Sequence, residues 1–232
     1  MGPESFTGKG EEKGFMKIIS QIYHEYLLII FLWRMFSLQN ILKKLESIKF
    51  AKAVADHREI TASVISDFSS LTFDDLRVVK DSLKPGKNGE WIYVPVRETP
   101  AFTLALFSLP LGCQLPLHNH PNMSVVMKLL SGSLLVNSAP IGNHSLSLGQ
   151  VVDLEQTLTS SILTLSSDVQ KVDGVHEIIA VENSVFIDLV TPPYGEGRNI
   201  QYFERVDEHG KKLKVIPEPT YNRGINRRWM GV

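Results

Sequence analysis

The segment Gly112-Cys-Gln-Leu-Pro-Leu-His118-Asn-His120-Pro-Asn-Met puts two imidazoles two residues apart in an apolar run. Successive side chains of a β-strand point to opposite faces, so residues two apart share one face. On a strand, His118 and His120 project into the same space with Cα atoms about 6.6 Å apart. Two imidazoles at that spacing can converge on one ion, because a metal–imidazole bond is about 2.0–2.1 Å long. The neighbours Leu115, Leu117, Met123, Val125 and Val126 keep water sparse and the rings neutral, as ligands must be. His-x-His is also what two ordinary hydrogen-bonded histidines look like, so its frame matters. Gly112 precedes the pair, Gly132 follows it in a turn position, and a third histidine, His176, opens another strand-like run.

The elements around these residues are mostly short and β-rich. Strands are expected over 91–96, 102–107, 145–148, 150–154, 162–165, 176–181 and 185–190. Residues 125–130 and 133–136, joined by Ser131-Gly132, are expected to pair as a hairpin through a tight turn. Eight or nine short strands at close spacing, with Gly and Pro between them, predict an all-β-dominated domain, closed or sandwich-like. Two helices are expected ahead of the first strand. One lies over 36–54, where Phe36, Ile41, Leu42, Leu45 and Ile48 recur at helical steps. The other starts at Thr72 as N-cap, with Asp75 as its capping partner, and stops near Pro85-Gly86. Both should cover the outside of the β-domain. Residues 1–34 are expected to be an N-terminal extension, poorly ordered or amphipathic, and residues 35–232 a single domain.

Charge and composition narrow the function classes. The 24 basic and 25 acidic residues leave a formal charge of −1, so no overall field argues for nucleic acid or an anionic membrane as partner. The basic clusters at Lys211, Lys212 and Lys214 and at Arg223, Arg227 and Arg228 read as solvated surface. With Cys113 as the single cysteine, no internal disulfide forms, and a cytoplasmic setting is expected. The apolar run from Tyr26 to Trp33 falls well short of the roughly 20 residues that span a bilayer, and no small-residue cleavage site follows it. A membrane is not expected as partner, and the chain is expected to be monomeric. Cys113 reads as a small core residue, and His24, His57, His144 and His209 as ordinary histidines without partner patterns.

Gly112-x5-His118-x-His120, closed by Gly132, resembles the first cupin motif, in which two histidines of one strand and a later histidine bind a metal inside a jelly-roll barrel. More specifically, Leu-Pro-Leu-His118-Asn-His120-Pro-Asn-Met-Ser-Val-Val-Met-Lys128-Leu-Leu-Ser-Gly132 resembles the cysteamine dioxygenase and plant cysteine oxidase family. So do Val175-His176-Glu-Ile-Ile-Ala-Val-Glu and Phe186-Ile-Asp188-Leu-Val-Thr-Pro192-Pro193-Tyr194, followed by Gly197-Arg198. The resemblance runs from about residue 70 to 206 and leans towards the animal-type cysteamine dioxygenases.

That resemblance implies a cupin-type jelly-roll β-barrel with the N-terminal helices packed outside. It implies Fe(II) held by His118, His120 and His176, with O₂ as cosubstrate. Other cupins often add a glutamate shortly after the second histidine; Val125 stands there. Both oxygen atoms would end on a thiol sulfur, giving a sulfinate. The substrate would be a small aminothiol such as cysteamine, or the N-terminal cysteine of a protein, the latter serving oxygen sensing. A metal-binding cupin that does not turn over, acting as a sensor or interaction module, is the alternative. Asp188, between Ile187 and Leu189, is expected to be hydrogen-bonded or paired, since a buried carboxylate needs a partner; the resemblance makes it the group that orients a histidine or the substrate. Tyr194 matches the family tyrosine near the substrate. Some animal members link a cysteine to a tyrosine two residues later; Tyr202 stands at the tyrosine position but Ile200 replaces the cysteine, so that thioether cannot form.

Overall fold

The computed structural model describes residues 21–25, 60, 62–73, 83, 90–142, 146–167, 169–172, 174–195, 197–220 and 224–226. A helix, α1 (Ala62–Ser69), precedes thirteen strands: β1 (Trp91–Glu98), β2 (Thr103–Leu109), β3 (Gln114–Asn119), β4 (Ser124–Ser131), β5 (Leu134–Ala139), β6 (Val151–Asp153), β7 (Thr159–Leu163), β8 (Gln170–Val172), β9 (Val175–Ala180), β10 (Ser184–Thr191), β11 (Tyr202–Arg205), β12 (Lys212–Ile216) and β13 (Gly224–Asn226). They form two sheets, in the orders β13-β1-β2-β10-β4-β8 and β6-β12-β11-β3-β9-β5-β7. Sequence neighbours repeatedly fall in opposite sheets, which is the jelly-roll arrangement that the cupin resemblance implies.

Strand alternation sorts the first sheet into two buried faces. Ile92, Val94, Phe102, Leu104, Leu106, Ile187 and Leu189 turn outward and pack with Ile60, Phe68, Leu71 and Leu83 from the segment ahead of β1. On the other face Phe107, Met127 and Phe186 turn inward and meet Leu115, Leu134 and Ile178 of the second sheet. Phe68 and Leu71, almost fully buried, each contribute about 1.5–3 kcal/mol by leaving water. The Lys128 ammonium on β4 donates to the Ser69 carbonyl at the C-terminal end of α1, where a cation also suits the helix dipole. The preceding segment therefore covers the barrel as expected, but through α1, which the sequence pattern did not single out. The helix expected over 36–54 and most of the one expected from Thr72 lie outside the described residues. Of the extension over 1–34, residues 21–25 are described; they are helical and exposed.

Residues 125–130 and 133–136 form strands but not a hairpin. β4 pairs with β10 and β8, whereas β5 pairs with β9 and β7 in the other sheet. The chain turns this corner at Gly132, where φ is +84° and an added Cβ would lie 2.4 Å from the Asn183 carbonyl oxygen. Glycine is needed here for close passage between sheets rather than for a two-residue hairpin turn. The strand expected over 145–148 is also absent from its described part, which runs into a turn at Leu148 and Gly149. β8, β11, β12 and β13 were not anticipated. Lys212 and Lys214, read as solvated surface, alternate along β12 with buried Leu213 and Val215. No helix among the described residues is long and apolar enough to cross a membrane.

Candidate metal centre

His118 stands at the end of β3, directly opposite His176 on β9 and Tyr202 on β11. His120 lies one residue beyond β3, yet its ring joins that of His118, with centroids 4.9 Å apart. The register between β3 and β9 shifts between Leu115 and His118, around Pro116, which has no N–H for the ladder. The Pro116 carbonyl instead accepts from His118 Nδ1 at 2.7 Å. That bond leaves the Nε2 lone pair of His118 free.

All three rings are buried, and their Nε2 atoms meet. His176 Nε2 lies 3.0 Å from Nε2 of His118 and 3.0 Å from Nε2 of His120. Two nitrogens bound to one ion at about 2.1 Å are roughly 3.0 Å apart when they subtend a right angle. The spacing fits a shared cation. Burial pushes the His118 pKa down from 6.5 to about 4. His120 and His176 are also held well below the ordinary imidazole range, first by burial and then by the neighbouring rings. Near neutral pH the cluster is three neutral donors with no carboxylate among them.

Tyr194 stands behind His120. Its Oη is 2.6 Å from His120 Nδ1 and 3.3 Å from the Asn119 carbonyl. Burial keeps the phenol pKa well above 10, helped by Asp188, Tyr202 and Tyr93, so Tyr194 stays protonated. One assignment satisfies every atom: His120 Nδ1–H donates to Tyr194, Tyr194 donates to Asn119, and Nε2 of His120 is free for a metal. Tyr194 as a whole residue is 41% exposed although its hydroxyl is buried against His120, so the residue also forms part of the mouth.

Asp188 projects from β10 of the opposite sheet into the same cavity. The expectation that it is paired is not met by the protein alone: its Oδ1 is buried without a hydrogen-bond partner. Burial raises its pKa from 3.8 to about 8, so neutrality partly replaces the missing partner. None of the three histidines has a hydrogen bond to Asp188; the bond to a ligand-type histidine comes from Tyr194. His176 Nδ1 is likewise buried and unpartnered.

The cavity between the sheets has a volume of about 400 Å³. Its floor is the histidine cluster, and one wall is aromatic, with Trp91, Tyr93 and Phe107. The Tyr93 and Phe107 rings meet edge to face with centroids 5.2 Å apart. Ile200 and Tyr202 also line it, so the position lacking the cysteine borders the cavity. The sequence reading missed Trp91, Tyr93 and Glu98, although alternation along 91–96 would have put the first two on one face. It also missed Asn119. This residue points away from the two histidines it separates, and its side chain exchanges hydrogen bonds with Gln201 at 3.1 Å each. Glu177 does the same for β9: buried beside His176, it receives Arg205, Gln114 and Asn137. Cys113 packs against the inner core. His24 and His209 are exposed, and His57 and His144 lie outside the described residues.

Barrel and cluster together define a cupin with a three-histidine site fit for a metal. The PCO_ADO family model matches residues 84–230, well over half of the chain. The chain therefore belongs to this family, the thiol dioxygenases that include cysteamine dioxygenases and plant cysteine oxidases. It is 29% identical over 169 residues to a probable 2-aminoethanethiol dioxygenase of Dictyostelium discoideum, covering 67% of this chain and 76% of that protein. It is 29% identical over 119 residues to plant cysteine oxidase 1 of Arabidopsis thaliana, covering 48% of this chain and 40% of the relative. The chain thus spans about three quarters of the first relative's length and less than half of the second's. A solved double-stranded β-helix domain protein of Klebsiella pneumoniae aligns at 19% identity and a TM-score of 0.39, over 53% of this chain and 93% of that one.

Proposed function

We propose that His118, His120 and His176 hold Fe(II) and that the cavity above them takes an aminothiol, either cysteamine or the N-terminal cysteine of a protein. The observation that carries this reading is the cluster itself: three neutral imidazoles converge without a carboxylate, on the floor of a mostly apolar cavity. Bound there, Fe(II) supplies the redox chemistry by which both atoms of O₂ are added to a thiol sulfur to give a sulfinate.

The residues of the chain favour an amine and disfavour an acid. Asp188 and Glu98 line the cavity, and among the described residues no Lys or Arg does. An incoming ammonium would approach the Asp188 carboxyl group and draw its pKa down, since an opposite charge favours the carboxylate. A free carboxylate would find no cation among the described lining residues. The names of the relatives agree with an amine-bearing thiol: the Dictyostelium protein is called a probable 2-aminoethanethiol dioxygenase and the Arabidopsis protein a plant cysteine oxidase. Leu115, Ile178 and Val190 keep bulk water from the thiol. With Cys113 the single cysteine, the chain suits a reducing compartment such as the cytoplasm, where we expect it to act as a monomer.

The test is purified protein with Fe(II), O₂ and either cysteamine or a Cys-initiated peptide, read by mass spectrometry. A gain of two oxygen atoms on the thiol is expected. Metal-loaded protein that adds none to either thiol would sink the enzyme reading in favour of a binding module. His176→Ala should lose the iron; if it kept full iron and activity, the ligand assignment would be wrong.

A further inference from the structure

Glu98 reaches the cavity through an irregularity in β1. Along that strand Ile92, Val94 and Val96 turn outward into the core shared with Ile60 and Phe68, while Trp91 and Tyr93 line the cavity. Strict alternation would send Glu98 outward with the other even-numbered residues. The pairing with β2 instead shifts, with Pro95 opposite Ala105 and Arg97 opposite Leu104. One extra residue is taken up there, and the parity of β1 is reversed beyond it. Glu98 then stands opposite Thr103, which also lines the cavity. Re-aiming a side chain in this way is a recurrent use of a bulge beside an active site.

The re-aimed group is a carboxylate at the rim. Glu98 is exposed, whereas Asp188 is buried. Among the described residues the Glu98 carboxylate makes no ion pair. Its charge is felt inside the cavity: burial first, then Glu98 and then Asp188 push the Tyr93 phenol up to about 12. Sheet spacing keeps the two carboxylates apart. β2 lies between β1 and β10, and Asp188 stands opposite Ala105, two residues from Thr103. Two strand spacings of about 4.8 Å and a rise of about 6.7 Å put the backbones of Glu98 and Asp188 about 12 Å apart. An ammonium beside Asp188 therefore leaves Glu98 for a second cation. Cysteamine has none to offer. A Cys-initiated peptide has one wherever the residue after the cysteine is Lys or Arg, carried on a side chain long enough to reach outward to the rim.

We propose that Glu98 is a specificity-determining residue: it pairs with a basic side chain next to the N-terminal cysteine, so that the cavity prefers Cys-Lys and Cys-Arg termini to neutral or acidic ones. The inference rests on the thiol dioxygenase reading above and adds to it the second residue of the substrate.

The test uses three peptides that differ only in the residue after the N-terminal cysteine, which is Lys, Gln or Glu. Their kcat/KM values are measured with iron-loaded protein, and iron content is checked for every variant. Wild-type protein should favour the Lys peptide over the Gln peptide about threefold, the scale of one exposed ion pair. That preference should fade in about 0.5 M salt. Glu98→Gln should abolish it, and Glu98→Lys should turn it towards the Glu peptide; a merely structural role would slow all three peptides alike. Equal rates for the three peptides with wild-type protein, or a preference that survives both substitutions, would overturn the assignment of Glu98 and leave the dioxygenase reading standing. Oxidation of cysteamine but of no peptide would do the same. Oxidation of no thiol by iron-loaded wild-type protein would overturn the dioxygenase reading, and this inference with it.

Discussion

The Tyr194 hydroxyl lies 2.6 Å from Nδ1 of His120, on the side of the ring away from the cluster. Groups behind a metal-binding histidine fix its tautomer and its aim. Tyr194→Phe keeps the ring and removes that acceptor, so His120 is left free to rotate. Metal affinity should fall about 10–100-fold, read by chelator competition with Zn(II) as the probe. Unchanged affinity would mean that His120 is aimed by packing alone.

How much of this was legible in the sequence differs between the two halves of the site. His118 and His120 were visible because both histidines and their spacing are local. His176 needed a fold in which β9 lies beside β3, and here the family resemblance supplied what spacing could not. Tyr194 was noticed as a residue near the substrate, and it lines the cavity, but its bond to His120 was not foreseen. Its contact with His120 spans 74 residues and depends on how the chain leaves β10. Gly132 shows the same limit in the fold: a glycine between two strand-like runs looks like a hairpin, and only the pairing of β4 with β10 and β5 with β9 shows the crossing between sheets. Period-2 alternation was readable; which sheet each strand joins was not.

That crossing makes Gly132 a strong test of the topology. Any side chain there meets the Asn183 carbonyl at 2.4 Å and must also adopt a φ of +84°. Gly132→Ala should destabilise the protein by at least about 2 kcal/mol, since left-handed strain alone costs about 1–2 kcal/mol. Chemical denaturation of the two proteins measures it. A loss under about 0.5 kcal/mol would mean the corner is loose enough to move aside.

Asp188 gives a pH dependence of definite sign. Its folded pKa, about 8, is above the unfolded value of 3.8. The protonated acid is thus favoured by folding; its contribution is fully present below pH 3.8 and is lost as pH rises through 8. The loss approaches about 1.4 kcal/mol per pH unit between those values, with a ceiling on the order of 6 kcal/mol. Asp188→Asn removes the titration at nearly constant shape. The stability of the metal-free variant relative to metal-free wild type should therefore climb from pH 5 to pH 8 and then level off. A difference independent of pH would show that Asp188 is already ionised in the folded protein. In the loaded enzyme the same variant should mainly slow turnover and leave the iron in place.

The histidines run in the opposite direction. His118 falls from 6.5 to about 4 on burial, and His120 and His176 are lowered as well. A base whose folded pKa is depressed contributes stability that is present above pH 6.5 and is lost as pH falls towards 4. For the metal, the consequence is that protons do not compete until the medium is distinctly acid. Three ordinary imidazoles with pKa 6.5 would surrender affinity on the order of 10⁴-fold between pH 7 and pH 5. This cluster should lose no more than about tenfold over that range, measured with Zn(II) by chelator competition while circular dichroism confirms that the barrel stays folded. A loss near the larger figure would show the rings titrating as exposed histidines do. That would remove the physical basis for a dry, neutral three-histidine site.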